Sequence, residues 1–170
     1  KKYGLPLYKF LGGYKTTLAT DITIANDTVE HMVRRSLDAV MEGYTYLKVK
    51  IGNDIDLDIE RVKAVRTAVR RGIKIRVDAN QGWAPKEAVS IIRKFEDMGL
   101  DIEFVEQPVK AWDIDGLKYV TDNVSTKILA DEAVFGPSDA FKIIEKRAAD
   151  LINIKLMKCG GINNAIKIYN

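Results

Sequence analysis

Six short runs rich in apolar and β-branched residues recur along the chain, each followed by a polar turn and, after the first five, a helical pattern. The runs are 17–24 (TLATDITI), 46–52 (YLKVKIG), 73–80 (IKIRVDAN), 102–107 (IEFVEQ), 127–132 (KILADE) and 151–157 (LINIKLM). Helices are predicted over 28–42, 56–71, 85–98, 113–123 and 137–148. In 28–42, Val29, Met32, Val33, Leu37, Val40 and Met41 form one stripe at helical spacing. Thr28 or Asp27 can cap that helix, and Gly43 can end it. Val62, Val65 and Val69 repeat the stripe in the second helix. Pro85 and Pro137 sit at first-turn positions of later ones. Strands separated by helices must pair in parallel. A doubly wound open sheet and a (β/α) barrel of the TIM type both satisfy this alternation.

The faces of the strands favour the barrel. Leu47, Val49 and Ile51 share one face, while Tyr46, Lys48 and Lys50 share the other. Ile73, Ile75 and Val77 oppose Lys74, Arg76, Asp78 and Asn80. Ile152, Ile154 and Leu156 oppose Asn153, Lys155 and Met157. Strands buried on both sides would read as continuous apolar runs. Here the apolar face is expected against outer helices and the polar face inside a barrel. Six βα units are visible, and the first 16 residues stand outside the repeat.

Composition narrows the classes of function. The chain has 170 residues, 46% of them hydrophobic, which excludes a disordered chain. The net charge of +3 comes from 27 basic and 24 acidic residues well mixed along the sequence. That argues against a nucleic-acid or membrane-surface partner. No apolar run reaches the roughly 18 residues that span a bilayer. The basic start KKYGLPLYKFLGG is broken by Pro6 and Lys9 and does not read as a targeting signal. The lone Cys159 excludes an internal disulfide and suits a reducing, cytoplasmic setting. With His31 the one histidine, a zinc site lacks ligands, so any metal is expected to be hard and oxygen-bound. The chain lacks a starting Met, so processing or a longer gene product is expected.

Five ionisable residues fall at the carboxyl ends of successive strands: Lys50, Asp78, Glu106, Asp131 and Lys155. They are 28, 28, 25 and 24 residues apart, one βα unit each, which predicts a common height around one mouth. In barrels that mouth carries the active site. Asp78, Glu106 and Asp131 would offer three oxygens to Mg²⁺, and without a cation they would repel one another. Singly, each acid is equally well read as a cap of the next helix. Lys48 and Lys50 flank the trio on one side and Lys155 on the other. A lysine beside a metal and another cation has its pKa lowered, which frees the amine as a base. Two such bases suit a 1,1-proton transfer α to a carboxylate through an enediolate that the metal stabilises. Lysines on a solvated edge strand are the rival reading for Lys48 and Lys50. Lys155, set among apolar residues, is expected to be buried, where an unpaired charge is costly.

Weaker signals remain. KCGGI at 158–162 reads as a phosphate cradle or, better, as a tight turn into a helix. Trp83 and Trp112 follow strand ends and either line a pocket or pack. His31 reads as structural or surface, and Cys159 is given no role.

These motifs together resemble the enolase superfamily, in its muconate-lactonizing subgroup, and within it the dipeptide epimerases of the L-Ala-D/L-Glu type. The resemblance rests on KVK at 48–50, DANQGW at 78–83, VEQP at 105–108, ADE at 130–132 and NIKLMKCGG at 153–161. DITI at 21–24 is similar to the epimerases' first barrel strand. The resemblance implies Asp78, Glu106 and Asp131 as Mg²⁺ ligands and Lys50 and Lys155 as acid/bases on opposite faces of the substrate. It implies that Lys48 holds the substrate carboxylate and tunes Lys50. A small carboxylate, probed first as a dipeptide such as L-Ala-L-Glu, is the implied substrate. Cycloisomerases and o-succinylbenzoate synthases share the same residues and are the alternative reactions. Lysine at 155 argues against the mandelate-racemase subgroup. Family members have eight barrel strands and an N-terminal capping domain. By that measure residues 1–16 are the capping domain's remnant or linker, and 17–170 supply strands one to six. Strands seven and eight, with a DxD motif for the substrate's amino group, are the expected remainder. A chain of this extent is accordingly expected to be unstable, self-associating (a homo-oligomer) or a catalytically silent fragment.

Overall fold

The computed structural model describes residues 2–52 and 54–170. Six parallel strands lie in sequence order: β1 (Ile22–Ile24), β2 (Tyr46–Lys50), β3 (Lys74–Asp78), β4 (Ile102–Glu106), β5 (Lys127–Ala130) and β6 (Leu151–Ile152). Between them run α2 (Val29–Met41), α3 (Ile55–Ala68), α4 (Pro85–Asp97), α5 (Ile114–Asn123) and α6 (Pro137–Lys146). A four-residue α1 (Leu7–Phe10) precedes them, and α7 (Leu156–Cys159) and α8 (Ile162–Tyr169) follow. Every strand pairs with its sequence neighbour, so the sheet never reverses direction. A doubly wound sheet needs such a reversal. The architecture is an α/β (β/α) barrel arc of six units.

Local signals set the helix starts. Thr28 Oγ1 accepts from His31 N at 3.3 Å, Asp54 Oδ1 from Leu57 N at 3.1 Å, and Asp113 Oδ1 from Gly116 N at 2.8 Å. Pro85 and Pro137 open α4 and α6, where a missing N–H costs nothing. His31 sits at the start of α2, its ring against Asp27 on the surface.

The core lies between the sheet and the outer helices. Leu47, Val49, Ile75, Val77, Val105 and Ile128 are buried from the strands, against Met32, Val62, Val65, Ile91, Phe95, Leu117 and Ile143 from the helices. The apolar strand faces thus point outward, as their alternation requires. One helix departs from the expected stripe. The buried face of α2 is Met32, Ser36 and Ala39, while Leu37 and Met41 are exposed. Small residues let α2 approach closely, and Ser36 Oγ satisfies itself on Met32 O at 2.7 Å.

Strand bounds also differ from expectation at the two ends of the sheet. Pairing of β1 is confined to Ile22–Ile24 opposite Leu47–Val49. The run 151–157 holds strand pairing at Leu151–Ile152 alone, because Lys155 is the N-cap of α7. Leu156 and Met157 are therefore helical and exposed, and the alternating faces proposed for that run end at Ile152. In β4 the register shifts at Ile75/Arg76, where Ile102 is followed by Phe104 as a pairing partner. Glu103 is the extra residue of this bulge, and its carboxylate takes Arg76 Nε at 2.6 Å. The Arg76 guanidinium also binds Asp21 at 2.8 Å and lies 4.5 Å over the Tyr46 ring.

Candidate active site

The carboxyl ends of the strands gather the predicted residues, though not at one level of the register. Lys50, Asp78 and Glu106 stand directly opposite one another. Glu106 then faces Leu129, two residues before Asp131. Ala130 faces Ile152, which brings Asp131 level with Asn153, two residues before Lys155. The site climbs four residues over four strand pairs. One residue per strand is the shear of an eight-stranded barrel, whose strands tilt by about 36°. A climb of this size is what a common height around one mouth requires of tilted strands. Register and barrel axis diverge in a tilted sheet.

Two turns hold the left side of the site. Gly52 and Gly82 lie so close that a Cβ on Gly82 would stand 2.2 Å from Gly52 O, and one on Gly52 2.2 Å from Ala79 O. Gly52 also has φ +120°, and its N–H donates to the buried Asp58 Oδ2 at 2.8 Å. Arg61 neutralises Asp58 at 3.1 Å and ties Asp27 O at 2.8 Å. The loops after β2 and β3 are thus locked together, with Lys50 beside Asp78. On the right side, the fully buried Gln107 accepts from Asp131 N at 2.9 Å and Ala133 N at 3.1 Å. Its Nε2 donates to Val109 O at 3.1 Å. Gln107 thereby fixes the end of β5.

Asp78, Glu106 and Asp131 are all buried. Lys48 Nζ bridges two of them, 3.0 Å from Asp78 Oδ2 and 2.7 Å from Glu106 Oε2. Lys50 Nζ lies 3.5 Å from Asp78 Oδ2 and donates to Asn80 Oδ1 at 2.7 Å. Asp131 binds Lys155 through Oδ2, and Lys158 through Oδ1 at 2.5 Å. Asn153 Nδ2 donates to Glu106 Oε1 at 3.2 Å. The lysines are not free groups on a solvated edge. The burial expected of Lys155 is corrected: its side chain is 40% exposed, because it follows the end of β6, and its charge is paired with Asp131.

The electrostatics follow from this pairing. Burial raises the Glu106 carboxyl above its ordinary value, and the charges of Asp78 and Asp131 add to that against the pull of Lys48. For Lys48, burial works downward, but Glu106 and Asp78 outweigh it and hold the ammonium above its usual range. Burial likewise pushes Asp131 up, and Lys155 and Lys158 more than reverse it, leaving the carboxyl low.

Among the described residues, no three His, Cys, Asp or Glu side chains are gathered closely enough to hold a metal ion. Ammonium groups stand among the acids instead. Three buried carboxylates in adjoining strand ends are nevertheless the donor set that a hard divalent cation requires. The chemistry of the set fits such a cation, while its present side-chain positions serve lysines.

Several residues of this centre escape the sequence reading. Lys158, 9% exposed, is the second cation on Asp131 and was hidden inside the KCGGI turn. Asn80, Gln107 and Asn153 lie within the recognised motifs, yet only contacts reveal what they hold. The glycines of KCGGI make a tight turn, with Gly160 at φ +76° between α7 and α8. Trp83 is buried and Trp112 is 81% exposed.

The family model described as Enolase C-terminal domain-like matches residues 31–170. The chain belongs to that family. Its curated relatives include the L-Ala-D/L-Glu epimerase of Clostridium acetobutylicum, 55% identical over 99% of this chain and 47% of the relative. Among solved structures, a substrate-liganded complex of the L-Ala-D/L-Glu epimerase from Bacillus subtilis superposes with a TM-score of 0.97 at 53% identity. It covers 98% of this chain and 47% of that one. The dipeptide epimerase of Enterococcus faecalis, complexed with Mg and the dipeptide L-Leu-L-Tyr, gives 0.95 at 51% identity, covering 98% of this chain and 47% of that one. The chain spans about half the length of the curated relatives it matches. Among the described residues, no helix is long and apolar enough to cross a membrane.

Proposed function

We propose that this chain carries the acid–base and metal-holding centre of a Mg²⁺-dependent dipeptide epimerase. The observation that carries the reading is the placement of two lysines about one acidic cluster. Lys50 reaches Asp78 from β2, and Lys155 reaches Asp131 from beyond β6. A substrate α-carbon held between them would expose its two faces to two different amines. One neutral amine takes the α-proton, and the electron pair of the broken C–H bond moves into the carboxylate. The ammonium on the other side delivers a proton to the opposite face, and the configuration inverts. Lys48, whose ammonium is held charged, would bind the substrate carboxylate.

Asp78, Glu106 and Asp131 would hold the Mg²⁺, which when bound supplies positive charge to balance the carboxylate as its negative charge grows. The relatives named above are epimerases, which favours epimerisation over cycloisomerase or o-succinylbenzoate synthase chemistry. The substrate would be a small dipeptide carboxylate. Residues 1–16 read as the link from a capping domain. A cytoplasmic location accords with the buried free thiol of Cys159.

The test is α-proton exchange. The full-length protein is incubated with Mg²⁺ and L-Ala-L-Glu in D₂O, and the glutamate α-proton is followed by NMR. The expected result is loss of the signal, abolished by a chelator. Retention of the signal with this and other dipeptides overturns the reading.

A further inference from the structure

Lys50 is held by more than the acid beside it. Its Nζ donates to Asn80 Oδ1 at 2.7 Å, a shorter contact than its 3.5 Å approach to Asp78. Asn80 in turn donates through Nδ2 to Glu132 Oε1 at 3.2 Å. The chain of contacts crosses from the end of β2, over the end of β3, to the residue that follows Asp131 beyond β5. An asparagine amide has a donor end and an acceptor end; a lysine ammonium meets only the acceptor, but the neutral amine a base requires can meet either. A carboxylate only accepts. Glu132 therefore fixes the amide with its NH₂ toward β5, and its oxygen is left toward Lys50.

The backbone of Asn80 is set for this task. Its φ is +49°, a left-handed conformation uncommon outside glycine, and its N–H donates to Asp78 Oδ1 at 3.0 Å. Glu132 keeps its other oxygen, Oε2, buried with no hydrogen-bond partner among the described residues. A carboxylate oxygen buried without a partner costs free energy. Packing alone gives no reason to keep one there.

We propose that Asn80 and Glu132 are positioning residues: Glu132 orients the Asn80 amide, and Asn80 aims the Lys50 amine across the mouth of the site. The proposal rests on the epimerase reading for its kinetic consequence and on geometry alone for its structural one. Lys50 serves one face of the substrate and Lys155, tied to Asp131, serves the other. Loss of the link harms one face alone.

Glu132→Gln tests this, because a glutamine can present either end and no longer dictates the amide. In the full-length protein with Mg²⁺ and each epimer of Ala-Glu, α-proton exchange in D₂O should fall about tenfold for one epimer, the worth of one mispointed hydrogen bond. For the other epimer it should stay within about twofold. The double variant Asn80→Asp with Glu132→Gln restores a donor against an acceptor and should recover the lost face in part. Equal loss for both epimers, or no loss for either, overturns the proposal. If the unaltered protein exchanges neither epimer, the epimerase reading fails, and the crystal structure of Glu132→Gln decides the positioning claim. Lys50 displaced from Asn80 upholds it, and an unchanged contact overturns it.

Discussion

Asp131 shows how one side chain in this site ties stability to the proposed function. Its carboxylate, buried, is shared by Lys155 and Lys158. Removing one partner of a buried pair strands the other charge, so Asp131→Asn should cost about 3 kcal/mol in urea unfolding. The two lysines hold its folded carboxyl below its unfolded value. That contribution is complete above the ordinary aspartate range of about 4 and is lost as pH falls through the lower folded value. The melting temperature should therefore drop as pH falls below about 4, and drop less steeply in Asp131→Asn. Glu106 has the opposite sign. Its carboxyl is raised on folding, so its ionised form is a cost at neutral pH that acid relieves. Glu106→Gln should steepen the same acid decline. Lys155→Ala should slow α-proton exchange for one epimer by about 10² or more, the usual range of a general base, and spare the other. Exchange untouched for both would contradict two-base chemistry. The gathering of Lys48, Lys50, Asp78, Glu106 and Asp131 was legible because each is a charged residue on the inner face or at the end of a regular strand, and Lys155 was legible from its spacing alone, since it lies beyond β6. Lys158, Asn80 and Gln107 were not, because their roles reside in contacts across 24 to 30 residues of chain.

At the level of elements, the strand–helix alternation was readable throughout the middle of the chain. Periodicity and caps suffice where a strand is paired on both sides. They fail at β1 and β6, where pairing on one side shortens the strand to three and two residues. They also mistook the buried face of α2, since a stripe of large apolar residues carries no information about how closely a neighbour approaches. The bulge at Glu103 was equally silent in the alternation pattern, although it supplies one of the two acids on Arg76. The turns after β2 and β3 form the most constrained joint. Gly82→Ala would drive a Cβ into Gly52 O, and overpacking of this kind costs about 1–3 kcal/mol. The variant should unfold at correspondingly lower urea. It should also lose exchange activity at temperatures where it remains folded, because the joint sets Lys50 against Asp78.

Across the whole molecule, the sheet ends in two short edges, and apolar side chains such as Tyr3, Leu7, Phe10, Met157 and Tyr169 stand exposed near the chain ends. Open edges and apolar patches favour association. As a 170-residue polypeptide the chain should sediment well above 19.1 kDa, and a clean monomer would contradict that expectation. Mg²⁺ should raise the melting temperature of the full-length protein by mass action, and Glu106→Gln should abolish the shift. The register of the site adds a constraint of another kind. Its steps between neighbouring strands are zero or two residues and never one. The centre therefore depends on parity: an even displacement moves a side chain up or down the mouth, whereas an odd one turns it out among the helices. A single-residue deletion within β2 or β3 would invert the site while leaving the hydrogen-bonded ladder intact. The same deletion in the connections at the opposite end of the strands would be absorbed. Such a scaffold tolerates length changes in its loops yet treats the count of residues along each strand as a binary code.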